Sequence, residues 1–190
     1  MKETRQYYTP EEYFQLLEES EVKFEYHDGY LEMMAGAASN HNIVAGNTRL
    51  ALGNALWETD CIVYDSDQAV QIESYNRYLF PDASVVCGKR EFEDEKQMRL
   101  KNPFLIIEVL SETTEAYDRG EKFRYYRSLP SFREYVLIHS SSVLCEIFYR
   151  EESNLWRISA VSDLDESIHL HSLKLDIPLR QLYAKTEDLF

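Results

Sequence analysis

Apolar and polar residues alternate along this chain in patterns that predict many short strands and a few helices. The run 103–110, PFLIIEVL, is almost continuously apolar, which is typical of a strand buried on both faces. Between residues 39 and 57 the apolar positions recur at helical spacing and predict an amphipathic helix. Asp28-Gly29 separates two short apolar runs and predicts a β-hairpin.

The order of these elements indicates a mixed sheet. Thr9, with Glu12 three residues later, fits a capping box at the start of a first helix. Short strands follow the long helix, and the charged loop 89–101 separates them from the strand 103–110. A further helix, a strand and a hairpin come next. We therefore expect an α/β fold whose mixed central β-sheet is flanked by helices and carries additional antiparallel strands.

Composition narrows the class of protein. The 190 residues are 44% apolar, which suits one domain spanning 1–190. No apolar run reaches the roughly 18 residues of a membrane span, and the first residues lack the apolar block of a signal peptide. Cys61, Cys87 and Cys145 lack metal-ligand spacing, so we expect reduced thiols in a cytoplasmic protein, with neither a disulfide nor a zinc site.

One carboxylate lies inside the most apolar strand. Glu108 stands near its end, Asp82 enters an earlier strand, and Lys122 lies on the helix that follows. If the two strands pair, both carboxylates face one point, with an ammonium beside them. Mg²⁺ binds such oxygen ligands together with substrate phosphates, and the bound ion activates water for phosphodiester hydrolysis. The residues thus indicate a magnesium-dependent site, with Mn²⁺ as a substitute.

Each of these residues also has an ordinary interpretation. Asp82 after proline fits turn chemistry, Glu108 fits a strand-end residue paired with an arginine, and Lys122 fits a solvated helix position. Asp118 and Glu121 have the spacing of an N-cap and its N3 partner, which predicts a helix that begins near residue 119.

Five segments together resemble the Uma-type restriction endonuclease family, a branch of the PD-(D/E)XK nuclease superfamily. The resemblance covers nearly the whole chain. It rests on TPEEYFQLLEE, FEYHDGYLEMMAGAASNHN, FPDASVVC, PFLIIEVLSETTEAYDRGEKFRYYRSL and REYVLI.

The resemblance implies a restriction-endonuclease-like core, with Asp82 and Glu108 as the metal-binding acids. The superfamily pattern places a lysine two residues after the second acid, where this chain has Leu110, and the family's lysine corresponds to Lys122 on the next helix. Glu25 matches a further acid near the active site, as a metal or water ligand. Residue 41, a histidine, matches another recurrent position, where it would contact a phosphate or support the acid at residue 25.

The net charge of the chain and its distribution determine how strongly DNA can bind. The net charge is −14, which opposes binding to polyanions. Basic residues nevertheless cluster between Arg119 and Arg133, where Arg119 and Arg124 are candidates for substrate contact. We expect weak, salt-dependent DNA binding, and either a homodimer that pools two small basic surfaces or a partner that supplies targeting.

Three functions remain open from the sequence. The first is a Mg²⁺-dependent endonuclease that hydrolyses DNA. The second is a non-catalytic binding or assembly protein on a nuclease-derived fold, which the displaced lysine and the acidic surface favour. The third is glycoside hydrolysis by paired carboxylates, which Lys122 opposes because a nearby ammonium lowers the pKa of the acid that must stay protonated.

Overall fold

The structure is a computed structural model that describes residues 6–34 and 36–189. It confirms the α/β class with mixed sheets flanked by helices. The strands are β1 Phe24–His27, β2 Tyr30–Met33, β3 Cys61–Asp65, β4 Ala69–Ile72, β5 Arg77–Leu79, β6 Ala83–Cys87, β7 Arg99–Leu100, β8 Leu105–Leu110, β9 Glu134–His139, β10 Cys145–Arg150, β11 Trp156–Val161, β12 Ser167–Leu170 and β13 Leu175–Pro178. The helices are α1 Pro10–Glu19, α2 Ser39–Ala55, α3 Glu115–Tyr117, α4 Phe123–Tyr126 and α5 Leu179–Leu182.

Two sheets form the centre of the molecule. The larger has the order β11-β10-β9-β8-β6-β3, and the smaller has the order β2-β1-β5-β4-β7. Strands β8 and β9 are parallel and are joined by the helical segment 115–126, whereas the other neighbours in the large sheet are antiparallel. All six residues of β8 are buried, as the apolar run predicts.

Side chains alternate between the two faces of the large sheet. Ile107 and Val109 of β8 face a core shared with α2, α5 and the β12–β13 hairpin. Ile106 and Leu110 face the opposite core, which includes α4 and residues of the smaller sheet. Glu108 has the parity of this second set, so its carboxylate lies on the α4 side of the sheet.

The local signals at the start of the chain are confirmed. Thr9 caps α1 with a complete capping box, because its side chain and that of Glu12 each bond the other's backbone N–H. Asp28 and Gly29 both adopt positive φ at the turn between β1 and β2. That conformation is the one a tight hairpin turn requires.

The helix after β8 differs from its predicted form. It begins at Glu115, and a π-helical turn, Asp118–Lys122, joins α3 to α4. Asp118 has helical φ and ψ and is not an N-cap, so that prediction is wrong. The physical reason is that its side chain turns inward towards Lys122 instead of bonding the backbone of the first turn.

The cysteine prediction is wrong for one pair. Cys61 and Cys87 are direct partners in the β3–β6 ladder, and a disulfide joins them. Twenty-six positions separate them in sequence, and only the pairing of the two strands brings them together. Cys145 is a buried free thiol, as expected. No helix in the described residues is both long and apolar enough to span a membrane.

Candidate active site

The two predicted acids meet where β6 and β8 separate. The ladder between these strands ends at Ala83 and Ile107, and the next pair in the same register is Asp82 opposite Glu108. Beyond this point the N–H of Val109 has no strand partner on that side, and Asp82 Oδ2 accepts its hydrogen bond at 2.7 Å. At the end of the ladder, the N–H of Val109 therefore holds the Asp82 carboxylate, and the strand register places Glu108 opposite it.

Lys122 reaches this place from the π-helical turn. Its Nζ lies 3.3 Å from Glu108 Oε1, 3.4 Å from Glu25 Oε1 and 3.2 Å from Asp118 Oδ1. Burial opposes its charge, but Glu108, Glu25 and Asp118 raise the pKa of the lysine well above its usual value. The ammonium thus stays charged among three buried carboxylates. By contrast Leu110, where the superfamily pattern places the lysine, is packed in the core.

Asp118 and Tyr126 are site residues that sequence reasoning missed. Burial raises the pKa of Asp118, while the nearby ammonium of Lys122 opposes the shift. The hydroxyl of Tyr126 donates to Glu108 Oε1 at 3.0 Å. The signal in the sequence was spacing, because Asp118, Lys122 and Tyr126 stand four residues apart, and residues four apart share a helix face.

Glu108 is the acid of the site whose ionised form is most disfavoured by its surroundings. Burial raises the pKa of its carboxyl well above the usual value, Lys122 opposes this, and the carboxylates of Asp118, Asp82 and Glu25 add to it. Its contacts with the described residues all fall on Oε1, which leaves Oε2 free. A cation at that oxygen would stabilise the ionised form.

Glu25 joins the site from β1, as the resemblance implied. Its Oε1 accepts the N–H of Phe80 at 3.2 Å, and its Oε2 lies 3.4 Å from His27 Nε2. Burial raises the pKa of Glu25, but Lys122 and then His27 outweigh this, so the pKa of Glu25 is lowered. Both of its oxygens are already engaged within the protein.

His41 contacts Asp82 and not Glu25. Its Nε2 lies 3.0 Å from Asp82 Oδ1, at the first turn of α2. Burial lowers the pKa of His41, but the hydrogen bond to Asp82 outweighs this and the pKa is raised. The histidine and the N–H of Val109 therefore hold the two oxygens of Asp82 in one orientation.

The two arginines predicted to contact substrate lie outside this cluster. Arg119 is engaged by Glu115, whose Oε1 is 2.7 Å from its Nε, and by Glu146. Arg124 is exposed, with its guanidinium 5.0 Å from the centre of the Tyr125 ring. Of these two arginines, Arg124 is therefore the one available to a phosphate.

The carboxylate oxygens of this site suit a hard cation, although they do not surround a single point as the ligands of a complete metal site would. Within residues 6–34 and 36–189, no three His, Cys, Asp or Glu side chains are grouped so as to hold a metal ion. Asp82 and the free Oε2 of Glu108 nevertheless supply the one or two carboxylates that Mg²⁺ takes in phosphate-handling sites, where water and substrate complete its shell. The residues therefore fit Mg²⁺ as a partly hydrated ion.

Glu108→Gln is expected to remove a pH-dependent cost to stability. Because the folded-state pKa of Glu108 is raised above 4.5, folding favours its protonated form, and the free energy of unfolding falls as pH rises from about 4.5 through the folded pKa. Glutamine keeps an acceptor for Tyr126 and does not titrate. Urea unfolding in EDTA should show the variant gaining on the wild type with rising pH, by at most about 1.4 kcal/mol per pH unit.

The control for that series is Glu152→Gln, which changes an exposed acid in the turn between β10 and β11. Its stability should follow the wild type at every pH. If the free energy of unfolding changed with pH in the same way for Glu108→Gln and the wild type, ionisation of Glu108 would not be the source of the pH-dependent loss of stability.

Comparisons with known proteins agree with this architecture. Residues 10–180 match the model of a family described as "Uma2: Putative restriction endonuclease". The chain is 35% identical over 176 residues to uncharacterized protein slr1290 of Synechocystis, covering 92% of this chain and 90% of that protein. It is 29% identical over 167 residues to uncharacterized protein sll1609 of the same organism, covering 88% and 94%. A crystal structure titled "putative nuclease belonging to DUF820" from Anabaena variabilis has a similar fold, with a TM-score of 0.74 and 15% identity over 93% of this chain and 98% of that one.

Proposed function

The chain belongs to the Uma2 family, whose description is "Putative restriction endonuclease", and we propose that it is a Mg²⁺-dependent endonuclease that hydrolyses phosphodiester bonds in DNA. One observation carries this proposal. Asp82 stands opposite Glu108 at the end of the β6–β8 ladder, and Lys122 Nζ lies 3.3 Å from Glu108 Oε1. Two acids and one ammonium at a single point match the needs of phosphoryl chemistry.

Each side chain has a part in this proposal. Asp82 and Glu108 would hold Mg²⁺, and the chemistry that Mg²⁺ supplies when bound is polarisation of the phosphoryl group and activation of water. Lys122 orients the attacking water and offsets negative charge that develops on the phosphate oxygens. Glu25 and Asp118 keep the ammonium in place, and they are positioning residues.

His41 has a supporting part. Its hydrogen bond fixes one oxygen of Asp82, as outer partners of metal ligands commonly do. Loss of such a partner costs about 10–100-fold in affinity or activity in other proteins. We therefore assign it to orientation of Asp82 and not to contact with the substrate.

The partners of this activity follow from charge. A net charge of −14 predicts weak DNA binding that falls steeply with salt. We propose a homodimer, which would double the basic surface offered to one duplex. Light scattering at micromolar concentration tests the dimer, and a monomer mass would contradict it.

The test of function is cleavage of supercoiled, linear and single-stranded DNA at low salt. Reactions contain EDTA, Mg²⁺ or Mn²⁺, and we expect nicking or cutting of DNA only with a metal ion. An RNA of the same sequence shows whether the sugar matters. Failure to cleave any of these by a folded, metal-loaded protein would contradict the proposal.

A second candidate is a non-catalytic binding protein on the same fold. The contacts that the acids already make within the protein favour this candidate. Lys122 forms ion pairs with three carboxylates, and both oxygens of Asp82 are hydrogen-bonded. Titration with Mn²⁺ separates the two candidates. Saturable binding that Glu108→Gln removes supports the nuclease, and no binding supports the second candidate.

A further inference from the structure

Three arginines gather at the end of the large sheet that lies away from Glu108. Arg133 and Arg150 are the next pair beyond Glu134 and Tyr149 in the β9–β10 ladder, and Arg150 N donates to Arg133 O at 2.8 Å. Arg150 Nη2 donates to the carbonyl oxygen of Arg127 at 2.6 Å. We call Arg127, Arg133 and Arg150 the arginine cluster.

The arginine cluster concentrates positive charge without a carboxylate to balance it. Like charges directly opposite one another on paired strands are destabilising. Burial, and then the charges of Arg133 and Arg127, lower the pKa of Arg150. The chain has 34 acidic residues, yet in its described part none forms an ion pair with the cluster. Even the adjacent Glu151 pairs with Arg157 instead.

Helix capping explains only part of this arrangement. Arg150 bonds the carbonyl oxygens of Arg127 and Leu129, and Arg133 bonds that of Pro130, so both satisfy backbone groups near the end of α4. Arg150 alone satisfies two of these three carbonyl groups, so backbone capping does not account for all three arginines. The guanidinium of Arg127 makes no such bond and lies 4.8 Å from the centre of the Phe123 ring. Its donors, and those that Arg133 does not use, are open to an anion.

The arginine cluster and the candidate active site lie on the same side of the sheet. Arg133 precedes Glu134, which pairs with Leu105, so the cluster lies about four strand residues from Glu108. At about 3.3 Å per residue this is roughly 13 Å, which equals the rise of about four base pairs, at 3.4 Å each, along the axis of a DNA duplex. Between them α4 exposes Arg124.

We propose that the arginine cluster binds adjacent backbone phosphates of the nucleic-acid substrate, a few nucleotides from the bond that is cleaved. Guanidinium groups pair bidentately with phosphate, and a bound phosphate would relieve the repulsion among the three arginines. The inference rests on the proposed function, because it makes the cluster part of the surface that holds the substrate. It also accounts for DNA binding by an acidic protein, because the unbalanced positive charge is local.

The experiment measures binding of a fluorescein-labelled duplex by anisotropy in EDTA, where no cleavage occurs. The test protein is Arg127→Gln with Arg133→Gln, which leaves the Arg150 caps in place. The matched control is Arg157→Gln with Arg180→Gln, which removes the same charge from arginines paired with Glu151 and Asp165. We expect the test protein to bind at least about tenfold more weakly than the control, and the slope of log K against log salt to fall by about two.

Folding of the test protein is checked by circular dichroism, and the exposed Arg127→Gln single variant replaces it if it does not fold. The single variant should lose about one unit of salt slope relative to Arg157→Gln. Equal affinity and equal salt slope in test and control would overturn the proposal. So would binding of a mononucleotide at the cluster without binding of the duplex, because the site would then serve a small phosphate compound.

These experiments can contradict the proposed hydrolysis and the proposed role of the arginine cluster separately. Arginine-dependent binding by a protein that never cleaves DNA would leave the cluster proposal standing and contradict the proposed hydrolysis. Cleavage that is unchanged in the test protein, together with unchanged binding, would overturn the cluster proposal alone.

Discussion

Replacing Glu108 with Ala is expected to reduce metal-dependent DNA cleavage by at least about a thousandfold, since it removes one of two carboxylates that would hold the ion. The loss should fall on turnover and on Mn²⁺ affinity together, because the free Oε2 is the proposed ligand atom. Plasmid nicking at several Mg²⁺ concentrations, with calorimetric titration of Mn²⁺, measures both.

Glu108→Gln is the sharper form of this test. Glutamine preserves the shape of the side chain and an acceptor for Tyr126, so the fold should be retained while the anionic ligand is lost. We expect no cleavage and no loss of melting temperature in EDTA, because an ionised buried carboxylate is costly to the folded state. A folded Glu108→Gln protein that cleaved at the wild-type rate would contradict the assignment of Glu108.

The elements that the sequence predicted correctly are those with strong local signals. The capping box at Thr9, the Asp28-Gly29 turn and the helix that begins at Ser39 each depend on residues within a few positions. The apolar strand with Glu108 also belongs here, since burial on both faces shows in composition alone. The convergence of the acids needed one further assumption, that β6 and β8 pair, and this is confirmed.

Features that depend on contacts between residues far apart in the chain could not be predicted from local sequence signals. Asp118 has the local pattern of a helix cap, but a buried ammonium competes for its carboxylate and the helix starts one turn earlier. Cys61 and Cys87 meet only because two strands pair in one register. Arg150 joins the arginine cluster from the β10–β11 hairpin, so charge counting along the 119–133 segment could not include it.

The π-helical turn links the fold to the chemistry. A π turn widens the helix locally, and such turns occur frequently at functional sites. Here it contains both Asp118 and Lys122, and it is followed at once by the turn that carries Tyr126. The lysine therefore reaches a buried strand acid from the following helix and not from the strand itself.

Replacing Lys122 with Met is expected to lower both stability and activity. The change leaves Glu108, Glu25 and Asp118 buried without their shared cation, which should cost about 3–5 kcal/mol of unfolding free energy at neutral pH. Cleavage should fall by about 10²–10³-fold, because charge on the phosphate oxygens is no longer offset. Urea unfolding in EDTA and plasmid nicking at saturating Mg²⁺ measure the two effects.

The pH dependence separates this cause from a general packing defect. Without the ammonium, the pKa values of Glu108 and Asp118 rise further above those of the unfolded chain, and the pKa of Glu25, which Lys122 helps to lower, rises as well. The variant is then more stable in acid, where the carboxyls are protonated, and loses stability as pH rises through the folded pKa values. The deficit relative to wild type should therefore shrink as pH falls and be largest near neutrality, whereas a packing defect would be the same at every pH.

Lys96→Met is the matched control, because it removes an exposed ammonium paired with Glu18 and should cost no more than about 1 kcal/mol. Mg²⁺ should raise the melting temperature of Lys122→Met more than that of the wild type, since the ion restores positive charge among the carboxylates. Lys122→Arg should recover stability but not rate, because a guanidinium keeps the charge and not the position of Nζ. If Lys122→Met and Lys96→Met were equally stable at neutral pH, the ammonium would not be balancing the buried acids, and the charge arrangement proposed for this site would be wrong.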